Sequence, residues 1–521
     1  MPIVHRSPLG DVEIPATSIT THVFERLDRF RDRVALIDGP SGRSYTYGAL
    51  HDAVTAAAGG LRAAGVGPGT VVAIMAPNVP EYAIAFHATV AAGGVVTSVN
   101  PTYGAEETAF QLRDAGAELL VTVGMFCDTA VAAATESGVR TVYVLGDVPD
   151  SAPDLVVPVG SVLGGEPLAP VAVDPSDLAA LPYSSGTTGL PKGVMLTHAN
   201  LVANLVQLER HLDMDTSDEV LMAVLPFFHI YGMQVIMNDG LRRGATLVTM
   251  PRFDLPQFLE LIQKHRATRL FVVPPMVLAL AKQPIVDDYD LSSVRTLFSG
   301  AAPLGSELAE EARARIGAPT IQGYGMTEMS PVSHASRFDD DRPGSIGILV
   351  PSAEARVVDP ETGEDLPVGA DGEIWCRGPM VMRGYLNRPD ATAETIDADG
   401  WLHTGDIGHI DADGFWYVVD RLKELIKYKG FQVPPAELEA LLLTHPAVAD
   451  CAVIGVPDEE AGEIPKAFVV TKPGQELTVE ALQEFVAGHV ASYKQIRIVE
   501  FTDVIPKSPS GKILRRMLRD A

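Results

Sequence analysis

The chain has 521 residues, of which 46% are hydrophobic and 21% are charged, and its formal net charge is −27. At roughly 100–200 residues per domain, this length predicts several domains or subdomains with a substantial buried core. The acidic balance disfavours a broad nucleic-acid-binding or anionic-membrane surface. Cys127, Cys376 and Cys451 have no CxxC spacing and no even-numbered framework, which gives no support to a zinc site or a disulfide scaffold.

The N-terminal residues MPIVHRSPLGDVEIP lack the apolar core of a secretory signal. Together with the scattered cysteines, this predicts a cytoplasmic protein with reduced, buried thiols. The most apolar stretch, residues 83–99, is uncharged but falls just short of a membrane-spanning length, and it contains His87 and a Gly-Gly pair. We therefore expect a buried helix followed by a buried strand there, and no membrane span.

Runs rich in Val, Ile and Leu alternate with stretches of helical spacing in the first part of the chain. Residues 48–66 have the helical spacing. Continuous apolar strands between amphipathic helices are typical of parallel sheets covered on both faces, so this pattern predicts an α/β fold. The strand-like runs are residues 70–77, 118–123, 141–147, 244–250, 267–275 and 294–303.

The pattern of residues along the sequence changes after about residue 340. Residues 352–378 predict short strands joined by acidic, Gly-rich turns. Residues 414–442 join a strand to a charged segment, in which PPAELEALLL has the early Pro and Glu of a helix start. A small α+β unit follows. We predict a boundary at Asp420, with one domain at 1–419 and the other at 420–521.

The stretch YSSGTTGLPKG, residues 183–193, concentrates small hydroxyl groups, glycines and one lysine in a single loop. Backbone N–H groups and hydroxyls in such a loop can surround phosphate oxygens, and a lysine can neutralise their charge. The spacing does not fit the Walker A pattern of P-loop NTPases. The plain alternative is a flexible linker, which the strand-like residues before the loop and Lys192 make less favoured.

This loop resembles the nucleotide-binding loop of the adenylate-forming superfamily, which includes acyl-CoA synthetases, luciferases and peptide-synthetase adenylation domains. The hinge and C-terminal motifs look closest to 4-coumarate–CoA ligases and their bacterial relatives. The resemblance covers nearly the whole chain. Further motifs follow in the order of that family: LPFFHIYG (225–232), GYGMTE (323–328), GEIWCRGPMVMRGY (372–385), WLHTGD (401–406), DRLKELIKYKGFQV (420–433) and PKSPSGKILRR (506–516).

The resemblance implies a large N-terminal domain of parallel-rich sheets covered by helices, with a small β-barrel-like subdomain, and a small mobile α+β C-terminal domain. It also implies two half-reactions. A carboxylate attacks the α-phosphate of ATP to give acyl-AMP and pyrophosphate, and the thiol of coenzyme A then displaces AMP. The first half is mostly positioning and charge stabilisation on phosphate, with Mg²⁺ as the metal.

The resemblance assigns the nucleotide site to residues of several motifs. Glu328 would bind Mg²⁺, which prefers oxygen ligands, and Thr327 would contact phosphate. Asp406 would accept hydrogen bonds from the ribose hydroxyls, because a carboxylate offers only acceptors, and Arg421 would assist on the same sugar. Viewed alone, Glu328 is a surface carboxylate and Asp406 a turn residue. The β- and γ-phosphates would be held by Ser184, Ser185, Gly186, Thr187, Thr188 and Lys192, and Gln322, Gly323 and Tyr324 would line the adenine and acyl site.

The thiol half-reaction involves a second group of residues. His229 occupies the aromatic position that gates the thiol tunnel in this family, and we favour gating over general-base work. The plain alternative is a hydrogen-bonded core histidine. Rotation about Asp420 would bring Lys429 and Gly430 to the pantetheine channel. Arg252 matches a position that meets the nucleotide end of coenzyme A, although it is equally an ordinary exposed arginine.

Lys512 matches the family lysine that lies beside the acyl carboxylate and the α-phosphate, where a cation offsets repulsion between two anions. Lys427 and Gln432 resemble residues that also contact the adenylate, and Lys423 lies on the same segment. The alternative for Lys512 is a solvated basic C-terminal helix. Both hold if the arginines of that helix, Arg515, Arg516 and Arg519, face solvent. The pattern around Lys512 also resembles sites of lysine acylation, which would remove its charge, so a lysine acyltransferase is an expected partner.

The acyl pocket departs from the plant coumarate ligases. Those enzymes carry a lysine just before SGAAP that can hydrogen-bond the ring hydroxyl, whereas this chain has Phe298. An apolar wall leaves a phenol unpaired, so we expect less polar acids: cinnamate-like, phenylalkanoic or medium-chain fatty acids. The positions that match the pocket are Tyr231, Val235, Phe298, Gly300, Gly325, Met326, Pro331 and Val332.

Other functions share parts of this pattern. Amino-acid adenylation domains usually carry an Asp near FFHIYG, and residues 225–238 contain none. A ligase that loads an acyl carrier protein has similar motifs, so a carrier protein is the alternative acceptor. A luciferase-like oxygenase shares every motif. A catalytically dead binding protein would lack Lys192, Glu328, Asp406 or Lys512, and all four are present.

Overall fold

The computed structural model describes residues 2–148, 152–184, 191–212, 218–338, 342–429, 431–509 and 511–519. Its strands in chain order are His5–Arg6 (β1), Val34–Asp38 (β2), Ser44–Thr46 (β3), Val71–Met75 (β4), Val95–Ser98 (β5), Ala117–Val123 (β6), Thr141–Leu145 (β7), Val156–Pro158 (β8), Leu178–Ala180 (β9), Tyr183–Ser184 (β10), Lys192–Thr197 (β11), Val220–Ala223 (β12), Thr246–Thr249 (β13), Arg269–Val272 (β14), Thr296–Ser299 (β15), Thr320–Gly325 (β16), Val332–Ala335 (β17), Ile348–Leu349 (β18), Glu354–Val358 (β19), Gly372–Arg377 (β20), Gly384–Tyr385 (β21), Leu402–Ile410 (β22), Trp416–Arg421 (β23), Ile426–Tyr428 (β24), Phe431–Val433 (β25), Val448–Asp458 (β26), Gly462–Thr471 (β27) and Ile498–Phe501 (β28).

The helices begin where the sequence supplies caps. Thr46 accepts a hydrogen bond from the backbone N–H of Ala49 at the start of α3, and Asp254 does the same for Gln257 at the start of α10. The helices are Ile19–Phe24 (α1), Leu27–Phe30 (α2), Tyr47–Ala63 (α3), Pro80–Ala91 (α4), Ala105–Ala115 (α5), Cys127–Ser137 (α6), Gly160–Leu163 (α7), His198–Leu212 (α8), Asp239–Arg243 (α9), Leu255–His265 (α10), Pro274–Lys282 (α11), Ser306–Ile316 (α12), Pro389–Thr395 (α13), Pro435–Thr444 (α14), Val479–Ala487 (α15) and Arg515–Arg519 (α16), with a π-helix at Tyr231–Asn238 and short 3₁₀ turns at Gly124–Phe126, Pro284–Asp288, Thr327–Met329 and Ser492–Lys494.

Two large sheets form the body of the molecule. The first has the order β10-β11-β9-β5-β4-β6-β7-β8, with β21 beside β11, and the second has the order β18-β17-β16-β15-β14-β12-β13-β2-β3. Their central strands pair in parallel. Strands buried on both faces are continuous apolar runs, as β4 is, and this confirms the predicted α/β class. The stretch at 83–99 forms most of α4 and all of β5, as expected.

Two smaller sheets follow in the second half of the chain. An antiparallel half-barrel sheet has the order β1-β19-β20-β22-β23, and a C-terminal sheet has the order β25-β24-β27-β26 with β28 beside β27. The chain passes from the half-barrel sheet to the C-terminal sheet between Arg421 and Ile426. Asp420 therefore lies at the end of β23, where the sheets change, and the boundary at that residue stays a prediction.

The largest hydrophobic core lies between the two large sheets. It includes Val72 and Val96 from the first sheet and Leu221 and Leu270 from the second. The C-terminal unit has a core of its own around residues such as Ile426. Across the described ranges, every helix is either too short or too polar to cross a bilayer. Two large sheets, a half-barrel sheet and a C-terminal unit with its own core correspond to the arrangement of layers that the motifs implied.

Candidate active site

Tyr324, near the end of β16, joins the second large sheet to the half-barrel sheet. Its hydroxyl donates a hydrogen bond of 2.6 Å to Oδ2 of Asp406 on β22, and Oδ1 of Asp406 lies 3.1 Å from Nε of Arg421 on β23. Burial and then the charge of Asp406 raise the pKa of Tyr324 well above its ordinary value, so the hydroxyl remains a donor. The charge of Asp406 is also the main reason why the pKa of Arg421 is raised. Asp406 is therefore a buried carboxylate that is oriented by Tyr324 and Arg421.

Glu328 is buried, with 5% of its surface exposed, so it is not the surface carboxylate that it resembles in isolation. Its Oε1 accepts hydrogen bonds from the hydroxyls of Ser184, at 3.0 Å, and Tyr385, at 2.7 Å. The ring of Tyr385 also covers Nζ of Lys192, which lies 4.3 Å from the ring centroid. The contacts therefore bring together Ser184, Lys192 and Glu328 from two predicted motifs, with Thr327 on the same 3₁₀ turn as Glu328.

The donor set around Glu328 fits a Mg²⁺ ion that is shared with a nucleotide. Glu328 offers one buried carboxylate beside hydroxyl groups, and no cluster of three or more His, Cys, Asp or Glu side chains suited to a metal occurs among the described residues. Mg²⁺ is usually bound by one or two carboxylates plus substrate phosphates rather than by an all-protein cage. Glu328 is thus the residue that would hold the ion, which would offset charge on the phosphates.

His229 lies directly before the π-helix, in the segment that connects β12 to it. Burial and then the charge of Lys512 lower the pKa of His229 to about 3, so the imidazole is neutral near pH 7. Its Nδ1 accepts a hydrogen bond of 3.3 Å from the backbone N–H of Tyr231. A neutral histidine of such low pKa is a weak base, which agrees better with gating than with general-base work.

Lys512 lies at the face where the C-terminal unit meets the large sheets. Burial and the nearby charge of Arg421 lower the pKa of Lys512, whereas the charges of Asp406 and Glu328 raise it. Gly511, with φ of 81°, lies against the N-terminal region, because a Cβ at this position would come within 2.9 Å of Cγ2 of Val273. The structure thus brings Lys512 to the same centre as Asp406, Glu328 and His229.

One of the three arginines after Lys512 differs from the expectation that they all face solvent. Arg516 and Arg519 are exposed, but only 16% of the Arg515 side chain is exposed because it pairs with Glu439. The helix is therefore not simply a solvated basic helix.

Another group of predicted residues lies apart from this centre. The exposed side chains of Lys427 and Gln432 belong to directly paired positions of the β24–β25 hairpin, and Lys429 has a left-handed backbone with φ of 48°. Lys423 and Arg252 are also exposed. Among the described residues, no contact joins these five side chains to Asp406 or Glu328, and their roles stay predictions. Ser185, Gly186, Thr187, Thr188 and Gly430 lie outside the described residues.

The predicted acyl pocket is assembled around two aromatic rings. The hydroxyl of Tyr231 donates a hydrogen bond of 3.0 Å to the backbone oxygen of Phe298, and burial raises the pKa of Tyr231. A Cβ on Gly300 would come within 3.0 Å of the Tyr231 ring, and one on Gly323 within 2.7 Å of the Phe298 ring. The absence of side chains at these glycines therefore lets the two rings pack there.

The remaining pocket residues lie on neighbouring segments. Val235 is on the π-helix, and Val332 starts β17 with its backbone held by Asn204. Met326 donates its backbone N–H to the oxygen of Pro331, and a Cβ on Gly325 would come within 2.0 Å of the same oxygen. These contacts form the turn between β16 and β17. Beside it, the Gln322 amide bonds both backbone groups of Leu304, so it fixes the loop after Phe298.

Asp420 is buried, and its carboxylate accepts hydrogen bonds from backbone N–H groups on both sides of the predicted hinge. Its Oδ1 accepts a hydrogen bond of 2.7 Å from the N–H of Arg421, and Oδ2 accepts one of 2.8 Å from the N–H of Ala436. Burial raises the pKa of Asp420. This carboxylate therefore links the last strand of the half-barrel sheet to the first turn of α14.

Two residues of this site were not predicted from the sequence motifs. Tyr385 is the last residue of the motif GEIWCRGPMVMRGY, and this position is the sequence signal that could have identified it. Asn78 bonds three backbone groups in the segment that leads to His229. Its signal in the sequence is a polar residue three positions after the buried strand β4.

Comparisons with known proteins agree with this geometry. The profile of the AMP-binding enzyme family matches residues 23–386, and that of the AMP-binding enzyme C-terminal domain matches residues 437–512. The chain is 46% identical over 530 residues to 4-coumarate–CoA ligase 1 of Solanum tuberosum, which covers 99% of this chain and 96% of the relative.

Solved structures of similar enzymes share the whole fold. ATP-bound MatB from Rhodopseudomonas palustris has a TM-score of 0.88 at 32% identity and covers 97% of this chain and 99% of its own. The anthranilate CoA ligase AuaEII, in complex with anthranoyl-AMP, has a TM-score of 0.90 at 26% identity and covers 98% of both chains. The chain belongs to the AMP-binding enzyme family and is an AMP-forming acid–CoA ligase.

Proposed function

We propose that this protein ligates an aryl-alkenoic, aryl-alkanoic or medium-chain fatty acid to coenzyme A through an acyl-adenylate, and that it prefers acids without a ring hydroxyl. One observation carries the preference. Phe298 forms an apolar part of the predicted pocket, and the hydroxyl of its neighbour Tyr231 already donates to the Phe298 backbone oxygen. A phenol that leaves water without gaining a partner there loses about 1–3 kcal/mol.

Similarity to the plant relatives supports the aryl-alkenoic class. The relatives named 4-coumarate–CoA ligases are 45–46% identical over almost the whole chain, so the pocket would have the same general depth. The aromatic group around Phe298 includes Phe271, whose ring centroid lies 5.7 Å from that of Phe298. Such a wall favours an unsubstituted ring or an alkyl chain, because burial of apolar surface needs no polar partner.

In the adenylation half-reaction, the negative charge of the phosphates would have to be offset. Lys192 and Lys512 would supply two cations, Ser184 and Thr327 would supply hydroxyls, and Asp406 would hold the ribose. Mg²⁺ bound at Glu328 would add positive charge at the same place. The carboxylate and the α-phosphate are both anions, so Lys512 between them would lower the barrier to their approach.

In the thiol half-reaction, the thiol of coenzyme A would have to reach the enclosed adenylate. The neutral His229 would gate the channel, and rotation about Asp420 would withdraw Lys512 and bring Lys429 and Gly430 to the pantetheine channel. The exposure of Lys429 and the enclosure of Lys512 support this proposal, since each lysine would be used in only one of the two arrangements.

The test is release of pyrophosphate and AMP from ATP–Mg²⁺ with a matched acid panel, with and without coenzyme A. Cinnamate, 4-coumarate, 3-phenylpropanoate and octanoate differ in the ring hydroxyl, the double bond and the ring itself. We expect coenzyme A-dependent turnover, with cinnamate or octanoate above 4-coumarate in kcat/KM. A higher kcat/KM for 4-coumarate than for both would refute the preference. Acyl-AMP without turnover on coenzyme A would instead indicate an acyl carrier protein as acceptor.

Two further expectations belong to this proposal. Acylation of Lys512 would remove its charge and stop adenylation, so a lysine acyltransferase would switch the enzyme off. The reaction would take place in the cytoplasm, where Cys127, Cys376 and Cys451, all free and buried, would stay reduced. Intact-protein mass spectrometry of the native enzyme would detect the first, by the mass added at Lys512.

A further inference from the structure

A buried ion pair lies three residues beyond Lys512. Nη2 of Arg515 lies 2.7 and 2.8 Å from the two carboxylate oxygens of Glu439, and Nε of Arg515 donates to the backbone oxygen of Val453 at 3.2 Å. Oε1 of Glu439 also accepts a hydrogen bond of 2.8 Å from the Val453 N–H. The side chains are 16% and 12% exposed. Such a shielded pair, with both partners bonded to the same backbone residue, fixes α16 on the strand β26.

Glu439 belongs to α14, the helix whose first turn Asp420 holds. Asp420 accepts the Ala436 N–H at 2.8 Å, one helical turn before Glu439. A chain of direct contacts therefore runs from the hinge residue Asp420, through α14 and Glu439, to Arg515.

The segment between Arg515 and Lys512 is short and internally bonded. Ser508 donates its backbone N–H to the oxygen of Lys512 at 2.8 Å, and its hydroxyl accepts the Lys512 N–H at 3.1 Å. Leu514 donates its N–H to the oxygen of Pro506 at 2.9 Å. A compact turn of this kind moves as a unit with whatever anchors its end, and here that anchor is Arg515.

We propose that Arg515 and Glu439 are positioning residues of the adenylation half-reaction, which tie the Lys512 loop rigidly to the hinge at Asp420. The inference rests on the two half-reactions proposed above. Loss of the pair would leave Lys512 present but misplaced, and a displacement of about 1 Å can cost on the order of 100-fold in rate. The thiol half-reaction does not use Lys512, so it would be spared. A merely structural pair would affect both halves alike.

The experiment separates the half-reactions in the full-length enzyme. Adenylation is measured by pyrophosphate–ATP exchange with the best acid of the panel, and thioester formation by single turnover of synthetic acyl-AMP with coenzyme A. For Arg515→Gln and Glu439→Gln we expect exchange to fall on the order of 100-fold and thioester formation to stay within about threefold. Arg515→Lys keeps the charge but not the two-pronged geometry, so it should give an intermediate loss of exchange only.

Controls keep the result interpretable. Arg516→Gln removes the same charge from the adjacent exposed position and should change neither half-reaction. If a single variant unfolds because one buried charge is left unpaired, the double variant Arg515→Met/Glu439→Gln removes both charges, and the same split is expected there. Equal loss of both half-reactions, or unchanged exchange, in a folded variant would overturn the inference. Failure of the unmodified enzyme in both assays would instead refute the proposed function.

Discussion

The amide oxygen of Asn78 accepts a hydrogen bond of 2.8 Å from the backbone N–H of Phe227, two residues before His229. The amide nitrogen of Asn78 donates to the backbone oxygens of Ala223 and Leu225, each at 2.8 Å. One buried side chain at the end of β4 thus satisfies three backbone groups that leave β12. The first large sheet thereby holds the segment of the second that carries the proposed gate.

Replacement of Asn78 with alanine should destabilise the protein. The Phe227 N–H and the Leu225 oxygen would lose the partner described above, while the Ala223 oxygen keeps the N–H of Met250 at 3.1 Å. Each unsatisfied buried group costs about 1–3 kcal/mol unless water enters. We expect the free energy of unfolding, measured by denaturant titration, to fall by roughly 2–4 kcal/mol. The matched control is Asn100→Ala, because the side chain of Asn100 bonds Thr102 within its own turn. Equal stability of the two variants would contradict this account.

Tyr385 should contribute to adenylation through two separable contacts. Tyr385→Phe removes the hydrogen bond to Glu328 and keeps the ring over Lys192, whereas Tyr385→Leu removes both. A hydrogen bond to a charged group is worth about 1.5–3 kcal/mol, so we expect pyrophosphate exchange to be roughly 10- to 150-fold slower for the first variant. A further loss of about two- to fivefold is expected for the second, because a cation–π contact is worth about 0.5–1 kcal/mol. Tyr417→Phe, which loses a contact to Asp411 elsewhere on the half-barrel sheet, is the control.

Lys512→Ala should abolish acyl-AMP formation and preserve thioester formation from supplied acyl-AMP. Removing one preorganised charge from a phosphate site costs on the order of 100-fold or more. The comparison variant is Lys466→Ala, whose ammonium group instead lies 2.8 Å from Glu500 at the C-terminal sheet. A Lys512→Ala enzyme that loses both half-reactions to the same extent would contradict the assignment of Lys512 to adenylation alone.

The strands of the large sheets could be predicted because their signal is local. The run at 70–77 contains β4, whose residues are all buried, and that at 267–275 contains β14, which is buried likewise. Burial on both faces demands an uninterrupted apolar run, which is visible in the sequence. The run at 267–275 is longer than β14 because its last two residues, Pro274 and Pro275, begin α11.

Contacts within the site could not be predicted because they join distant segments. Tyr385 and Glu328 are 57 residues apart, and Asn78 and Leu225 are 147 apart. Arg515 illustrates the same limit. A cluster of arginines in a short helix is typical of a solvated surface, and only the fold brings Glu439 of α14 to one of them. Family resemblance could place motifs at one site but not the polar partners that orient them.

Buried neutral histidines should make the protein less stable in mild acid. Burial lowers the pKa of His22, His198 and His211 to about 4, and that of His87 and His334 to about 3, from an ordinary value of 6.5. Below pH 6.5 the unfolded chain binds protons that the folded protein does not. Their stabilising effect is therefore complete above that pH and declines as the pH falls toward 4.

His87→Gln tests this dependence at one position. His87 contacts the Thr20 hydroxyl at 3.1 Å, and glutamine cannot take up a proton. Each such histidine contributes up to about 1.4 kcal/mol per pH unit and half of that at pH 6.5, so between about pH 6.5 and pH 5 the variant should lose roughly 1.6 kcal/mol less stability than the unmodified protein. Denaturant titrations at both pH values measure the difference. The exposed His489→Gln is the matched control, and an equal effect of the two substitutions would refute the assignment.

Phe298→Lys should reverse the proposed acid preference. The substitution places a donor at the end of β15, where the Phe298 ring now packs against Phe271 and next to the position of Gly323. A ring hydroxyl that gains a charged partner is stabilised by about 1.5–3 kcal/mol, so kcat/KM for 4-coumarate relative to cinnamate should rise roughly 10- to 150-fold. Phe298→Met, which changes the volume of the side chain but adds no donor, separates the hydrogen bond from the loss of the ring. If both variants change the ratio equally, pocket shape and not the missing hydrogen-bond partner sets the preference. If neither changes it, Phe298 does not contact the part of the acid that carries the hydroxyl.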